Sequence, residues 1–412
     1  METVVAVESV AQVYCQACTV GTPEPLPRRN SPASSGNWRR AATTEERVKA
    51  RGVVASAMRT IEWDDDRDCI AMVDQTKLPS EYTTYHAETI DQLIESIRRL
   101  RVRGAPALGA AGAFGVALAT RRNEAATFET YVDAVAADAD AVASARPTAV
   151  NLSREVGTVL DELRACSSIS EARARTLAAA KDIADADVER NRRLGAHGAT
   201  LLDDGARVMT HCNAGALATV DWGTALGVVY SAQEDGKTVS VIANETRPLN
   251  QGSRITTVEL QERSVDVTLI PDNASGLCMQ EGMVDALVVG ADRIVLDGGE
   301  QFGDQGVVFN KIGTYKQAVL ATRHDVPVVV AAPHSTVDTE RSADEVEIEQ
   351  RDPDELREIY GTQNAPPETD VYNPAFDPTP MELVDYLVTE TGVYEPPLDR
   401  AAFESAADRA AV

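Results

Sequence analysis

Cys212 lies in the run Thr210-His-Cys-Asn-Ala-Gly-Ala216, between two polar side chains, where a β-branched stretch gives way to a glycine. A strand followed by a turn into a helix would place this thiol in positive potential, which favours an anion, either a thiolate or a phosphate. Cys69, Cys166 and Cys278 lack such surroundings and read as small core hydrophobes, and His211 reads as a supporting group. Asp292 follows Val-Val-Gly-Ala. There it would be a carboxyl in a dry site, its pKa raised and its proton available to donate; the competing reading is a helix N-cap. Two elements suit a phosphate. Arg103-Gly-Ala-Pro-Ala-Leu-Gly109 sets an arginine and a glycine turn at the start of an apolar helix, where free N–H groups bind anions. Lys311, behind Asn310, opens a helix and offers a point charge. Arg146 is a third cation within plausible reach, and Gln251 follows the second strand of the series below.

These groups need a frame. Five short β-branched runs appear after Ala206: Val208–His211, Val239–Ile242, Asp266–Ile270, Ala286–Val289 and Val326–Val330. Helical stretches separate them at Ala216–Ala232, Gly252–Arg263 and Lys311–Arg323, which predicts βαβ units and a parallel sheet buried on both faces. Each run ends in polar groups: His211-Cys212-Asn213, Asn244-Glu245, Asp272-Asn273, Asp292-Arg293 and His334-Ser335. Ligands of open α/β sheets bind beyond the carboxyl ends of the strands, so one polar rim predicts a pocket. No GxGxxG follows the first run, so a dinucleotide fingerprint is missing. Upstream, Ile70–Asp74 predicts a strand, Ile90–Leu100 a helix by its apolar spacing, and 128–143, 150–165 and 170–193 further helices. Ala105–Thr120 predicts a buried helix. The expected class is α/β: a mainly helical domain with a small β element over 58–200, then a Rossmann-like parallel-sheet domain over 201–412. Residues 1–57, rich in Pro, Ser and Gly, read as a disordered or mis-annotated extension, with Met58 a candidate start.

Composition narrows the function. Of 412 residues 43% are hydrophobic, an ordinary globular share, and no run approaches the roughly 20 apolar residues of a membrane helix. The net charge of −26 disfavours binding nucleic acid through phosphates. Lysine is confined to Lys49, Lys77, Lys181, Lys237, Lys311 and Lys316, and the carboxylates are scattered. Such a surface suits concentrated salt, and points to a salt-loving cytoplasm. The six cysteines form no disulfide framework, and Cys15-x-x-Cys18 reads as an incidental pair.

At Asp74-Gln-Thr-Lys-Leu-Pro79, Val102-Arg-Gly-Ala-Pro-Ala107, Arg146-Pro-Thr-Ala-Val-Asn-Leu152, Thr210–Ala216 and Glu245-Thr-Arg-Pro248 with Gln251-Gly252, the chain resembles a known family. The match continues through Gly290–Ile294, Asn310-Lys-Ile-Gly-Thr-Tyr315, Arg351-Asp-Pro-Asp-Glu355 and Asn373-Pro-Ala-Phe-Asp377, in order, from Met58 to about Val393. The family is that of the methylthioribose-1-phosphate isomerases of methionine salvage, within a group that includes regulatory subunits of the exchange factor for translation initiation. The resemblance implies Cys212 and Asp292 as the catalytic pair. It implies Arg103, Gly104, Ala105, Arg146, Gln251, Asn310 and Lys311 as substrate contacts, and a homodimer with no metal and no cofactor. The chain departs from the family pattern in its N-terminal tail, in Asn244 before Glu245, and in a long Asp297–Phe309 loop expected to bear on the pocket's lid. The implied reaction is aldose–ketose isomerisation: Asp292 assists ring opening, and hydrogen moves from C2 to C1 by an enediol, with Cys212 as base, or by hydride shift, with Cys212 as stabiliser. The rivals are a ribose-1,5-bisphosphate isomerase and a non-catalytic, initiation-factor-like regulatory subunit.

Overall fold

In the computed structural model the described residues are 59–147, 149–398, 400–401, 403 and 405; the proline-rich tail and its Cys15–Cys18 pair lie outside them. The described chain begins with an antiparallel sheet of β1 (Ile61–Asp64), β2 (Cys69–Val73) and β3 (Thr84–Ala87), so the strand expected at Ile70–Asp74 is present one residue earlier. Helix α1 (Ile90–Arg98) opens with a capping box between Thr89 and Gln92. Helix α2 (Ala105–Arg122) is buried on all sides from Ala107 to Thr120, as a helix of alanine and glycine without a polar face must be. It packs among α3 (Phe128–Ala143), α4 (Val150–Arg164) and α5 (Ile169–Ala199). The 31 residues of α5 join two apolar cores: Ala172, Leu177, Ala180 and Ala184 lie in the core of the first helices, Leu194 and Ala199 in a core of the following sheet.

All five β-branched runs form strands of one sheet: β4 (Arg207–Thr210), β5 (Ser240–Asn244), β6 (Asp266–Ile270), β7 (Ala286–Val289) and, further on, Val328–Ala331. One helix falls in each gap between the first four: α6 (Ala225–Glu234), α7 (Thr257–Glu262) and α8 (Ser275–Gln280). After β7 the chain inserts β8 (Arg293–Asp297), a one-turn helix α9 (Gly299–Phe302), β9 (Val307–Lys311) and α10 (Thr314–Arg323). It then returns to the main sheet as β10 (Val328–Ala331) and leaves it as β11 (Val337–Ser342). After α11 (Asp354–Arg357) come the hairpin β12 (Glu358–Ile359) and β13 (Thr362–Gln363), then β14 (Phe376–Pro380), β15 (Tyr386–Thr389) and β16 (Gly392–Tyr394).

The main sheet has the order β16-β15-β10-β7-β4-β5-β6, parallel except for the edge strand β16. Its parallel strands, renumbered by position in the chain, run 3-2-1-4-5-6, the order of dinucleotide-binding folds. Successive side chains go to opposite faces. Val208, Val241, Val288, Val329 and Val388 enter one apolar core, while Met209, Ile242, Leu287, Val328 and Leu387 enter the other. This alternation with both faces covered explains why the runs are continuously apolar. A second sheet, β11-β8-β9-β14, has no counterpart in the sequence reading, and neither has β15.

Three expectations need correction. Ala216–Ala232 is not one helix: a single 3-10 turn at Ala216–Ala218 precedes Trp222 and Gly223, both at positive φ, and α6 starts only at Ala225. Gly252–Arg263 is a π turn, Gly252–Thr256, running into α7. Lys311 does not open a helix; it ends β9, and α10 begins at Thr314 after Gly313 at φ 105°.

Candidate active site

Cys212 and Asp292 follow neighbouring strands. Cys212 comes two residues after β4 and Asp292 three after β7, and Val208 and Met209 pair in parallel with Ala286 and Leu287. Between β4 and β7 the strand order reverses direction, and there the connections diverge and leave a crevice beyond the strand ends. The thiol and the carboxyl therefore stand at the switch point of the sheet.

Cys212 adopts φ 67°, a left-handed conformation uncommon for a residue with a Cβ. Two threonines fix it: its N–H donates to Thr246 Oγ1 at 2.8 Å, and its carbonyl accepts from Thr256 Oγ1 at 2.7 Å. No α-helix follows at once, so the helix-terminus potential expected for the thiol is replaced by side-chain charge. Burial pushes the thiol up, while Arg103 and Lys311 oppose that rise and Asp292 adds to it. Asp292 is not an N-cap: its N–H donates to the Phe309 carbonyl at 2.9 Å and β8 begins at the next residue. The carboxyl is open to the cleft rather than dry, yet the surrounding protein displaces enough water to raise its pKa; Lys311, Arg146 and Arg103 lower it and Glu349 raises it further.

The cations converge on this pair. Arg103 is influenced by Cys212, Glu259 and Asp292, and Lys311 by Cys212, Asp292, Arg351 and Arg146, so these groups share one field. Burial lowers the pKa of both. Lys311 is 8% exposed; its Nζ donates to the Ala375 carbonyl at 2.8 Å. Asn310 Nδ2 donates to Thr314 Oγ1 at 3.0 Å. Gln251 is buried, and among the described residues its Oε1 has no hydrogen-bond partner. Gly104 caps α2 at φ 91°, and a Cβ there would lie 2.0 Å from the Ala218 carbonyl oxygen, so only glycine lets Arg103 and Ala105 approach the loop that follows Cys212. Arg146 acts on Asp292, Lys311 and Arg103 from the turn before α4.

Two of the five polar strand ends belong to the framework. Asp272 accepts from the Thr246 and Arg247 N–H groups, each at 2.8 Å. His334 stacks on Phe403 with ring centroids 4.0 Å apart. His211, as expected, supports the site, its Nε2 2.8 Å from the Ile312 carbonyl. Asn244 meets three partners: its Nδ2 donates to the Thr210 carbonyl at 2.9 Å, and its Oδ1 accepts from Ser275 Oγ at 2.6 Å and Gln317 Nε2 at 3.1 Å. The long stretch divides: Val307–Phe309 belong to β9, and residues 298–306 form the far turn of the antiparallel pair β8 and β9, at the opposite end from Asp292 and Lys311. Sequence reasoning missed Glu259, Thr256 and Glu349, and gave no role to Thr246, Arg351 and Glu355 although they lie in the matched stretches; all of them meet the site through tertiary contacts.

Residues 101–396 match the initiation factor 2 subunit family. A Methanosarcina acetivorans relative is 50% identical over 340 residues, 82% of this chain and 95% of its own. The methylthioribose-1-phosphate isomerase of Desulfitobacterium hafniense is 44% identical over 82% of this chain and 96% of its own. The crystal structure of 5-methylthioribose 1-phosphate isomerase from Pyrococcus horikoshii superposes with a TM-score of 0.79 at 37% identity, covering 86% of this chain and 97% of that one. A structure from Archaeoglobus fulgidus, titled as translation initiation factor eIF-2B subunit delta, matches with a TM-score of 0.76 at 51% identity over 83% of this chain and 97% of that one. The match over residues 101–396, together with these relatives, makes this chain a member of the initiation factor 2 subunit family.

Proposed function

We propose that this chain is an aldose–ketose isomerase that converts 5-methylthioribose 1-phosphate to 5-methylthioribulose 1-phosphate, with Cys212 and Asp292 as its catalytic residues. The observation that carries the reading is that both follow neighbouring strands at the switch point, with Arg103 and Lys311 acting on both and Arg146 on Asp292. A sugar phosphorylated at its anomeric oxygen cannot open to a free aldehyde, so the enzyme must supply a proton to the ring oxygen. Asp292, its pKa raised by partial loss of water in the cleft, gives that proton as the bond between C1 and the ring oxygen breaks. The electron-poor C1 takes hydride from C2, the C2 hydroxyl becomes the ketone, and its proton returns to Asp292, so the atoms balance. A thiol that burial keeps protonated is a poor carbon base, which favours Cys212 as a neutral stabiliser beside the migrating hydride. Arg103, Gly104, Ala105, Arg146, Gln251, Asn310 and Lys311 hold the phosphate and the sugar hydroxyls.

A further phosphate at C5 would need a further cation. Arg351, whose charge acts on Lys311, is already engaged: its guanidinium donates to Glu355 at 3.0 Å and to Glu349 at 3.0 Å. This disfavours ribose 1,5-bisphosphate. The reading also includes a division near residue 200 into a helical and a parallel-sheet domain, supported by their separate cores, a cytoplasmic location, and a homodimer, for which exposed Leu269, Leu277 and Val319 supply apolar surface. The test is turnover of the two sugars offered separately to the purified chain in high salt. A higher kcat/KM for methylthioribose 1-phosphate is expected; preference for the bisphosphate would overturn the substrate, and no turnover of either would overturn the reaction.

A further inference from the structure

Glu259 is 5% exposed, and none of the steps above uses it. It sits on α7 facing the loop after Cys212. Asn213 Nδ2 donates to Glu259 Oε1, and the Leu217 N–H donates to Oε2 at 3.4 Å. On its other side Asn213 accepts through Oδ1 from Arg103 Nη2, while its carbonyl lies 3.4 Å from Arg103 Nη1. Asn213 Nδ2 also lies 3.2 Å from Thr256 Oγ1, the hydroxyl that donates to the Cys212 carbonyl. A Cβ on Gly215 would stand 2.1 Å from Glu259 Oε1, so the carboxylate lies flush against the loop backbone.

We infer that Glu259 is a positioning residue: through Asn213 it orients the Arg103 guanidinium toward the substrate phosphate and holds the loop that carries Cys212. The relay is directional. A carboxylate accepts from both Asn213 Nδ2 and the Leu217 N–H, which turns the Asn213 oxygen toward Arg103. Without that acceptor only the more distant Thr256 hydroxyl is left to hold the NH₂, and the amide can turn it toward the guanidinium, donor against donor. Burial raises the Glu259 pKa, while Asn213, Arg263, the Leu217 N–H and Arg103 favour its charged form; as a carboxylate it sustains the Arg103 cation, which burial otherwise disfavours.

The inference rests on Arg103 as a phosphate contact, and its test is separable from the identity of the sugar. Inorganic phosphate is titrated calorimetrically into the full chain, its Glu259→Gln and Arg103→Ala variants, and the double variant. Glutamine has one acceptor for two donors, so one bond is lost without a change of shape. The expected result is binding about tenfold weaker for Glu259→Gln with Arg103 present, and less than twofold weaker with Arg103 removed, accompanied by a rise in KM larger than the fall in kcat. Equal weakening in both backgrounds, or no weakening in either, overturns the inference. Should Glu259→Gln fail to fold, Asn213→Ala interrupts the same relay and is read in the same two backgrounds. A chain that shows the coupled phosphate pattern without turning over methylthioribose 1-phosphate would sink the proposed function and leave this inference standing.

Discussion

Lys311 and Phe376 are cross-strand partners of β9 and β14, and the lysine ammonium lies 4.6 Å from the centre of the phenyl ring. An ammonium that is 8% exposed has little water, so the ring face and the Ala375 carbonyl must do part of what solvent would do. Replacing Phe376 by Leu keeps the apolar wall and removes the cation–π contact, worth about 1–2 kcal/mol at a desolvated site. We expect KM for the phosphorylated sugar to rise about tenfold, the equivalent of roughly 1.4 kcal/mol, with a smaller change in kcat. Steady-state kinetics of Phe376→Leu checks this, and an unchanged KM would show that Lys311 needs no ring to hold it.

Asp292 acts in its protonated form in the mechanism above, so kcat/KM should fall as pH rises through its raised pKa. Lys311, Arg146 and Arg103 favour its carboxylate and so hold that pKa down. Removing the Lys311 charge with Lys311→Met should therefore move this limb of the profile to higher pH, whatever it does to the absolute rate. Asp292→Asn should abolish the limb and lower kcat by about 10²–10⁴-fold. A limb that stays in place in Lys311→Met would assign it to another group.

Much of the catalytic sheet was legible because parallel strands buried on both faces read as continuous apolar runs, and all five such runs are strands. What failed was local. Ala216–Ala232 has a helical composition, but Trp222 and Gly223 sit at positive φ where the loop folds back on itself and Gly223 pairs with Gly215 in an isolated bridge. The second sheet escaped notice because β11 is mostly polar and β14 carries two prolines, and β14 takes its place only by pairing with β9 from far along the chain. Cys212 and Asp292 could be picked out from their place after a strand. That they share one crevice followed only from the strand order, which no local pattern encodes, and Glu259 has no motif at all, since its partners Asn213 and Leu217 lie more than 40 residues upstream.

Gly104 joins the N-terminus of α2 to the loop after Cys212. Alanine there would face two costs: φ 91° in a region that residues with a Cβ avoid, and a Cβ 2.0 Å from the Ala218 carbonyl. Backbone strain and overpacking together should destabilise the chain by roughly 2–4 kcal/mol. Because relief requires α2 to move away from Ala218, phosphate affinity should fall with it. Denaturant unfolding and phosphate titration of Gly104→Ala measure both; a stable variant with unaltered phosphate binding would show that the contact is loose.

Asp187 on α5 sets a pH dependence of stability distinct from that of activity. It is 4% exposed, and burial pushes its carboxyl up to about 6, although the Val220 N–H, Arg190 and Asn191 favour the charged form; Glu155 faces it as well and raises it further. In the unfolded chain the group has its ordinary value near 4. Between the two values the folded state holds a proton that the unfolded state does not, so the stabilisation is complete below about 4 and is lost as pH rises through about 6. Asn in its place retains an acceptor for the Val220 N–H, 2.9 Å away, and cannot ionise. The Tm of the wild-type chain minus that of Asp187→Asn should therefore decline between pH 5 and pH 7.5, by mass action alone (roughly one titrating group). A difference that stays constant over that range would mean that Asp187 is already ionised in the folded protein at pH 5, and that its buried charge is fully matched by Arg190 and the Val220 amide.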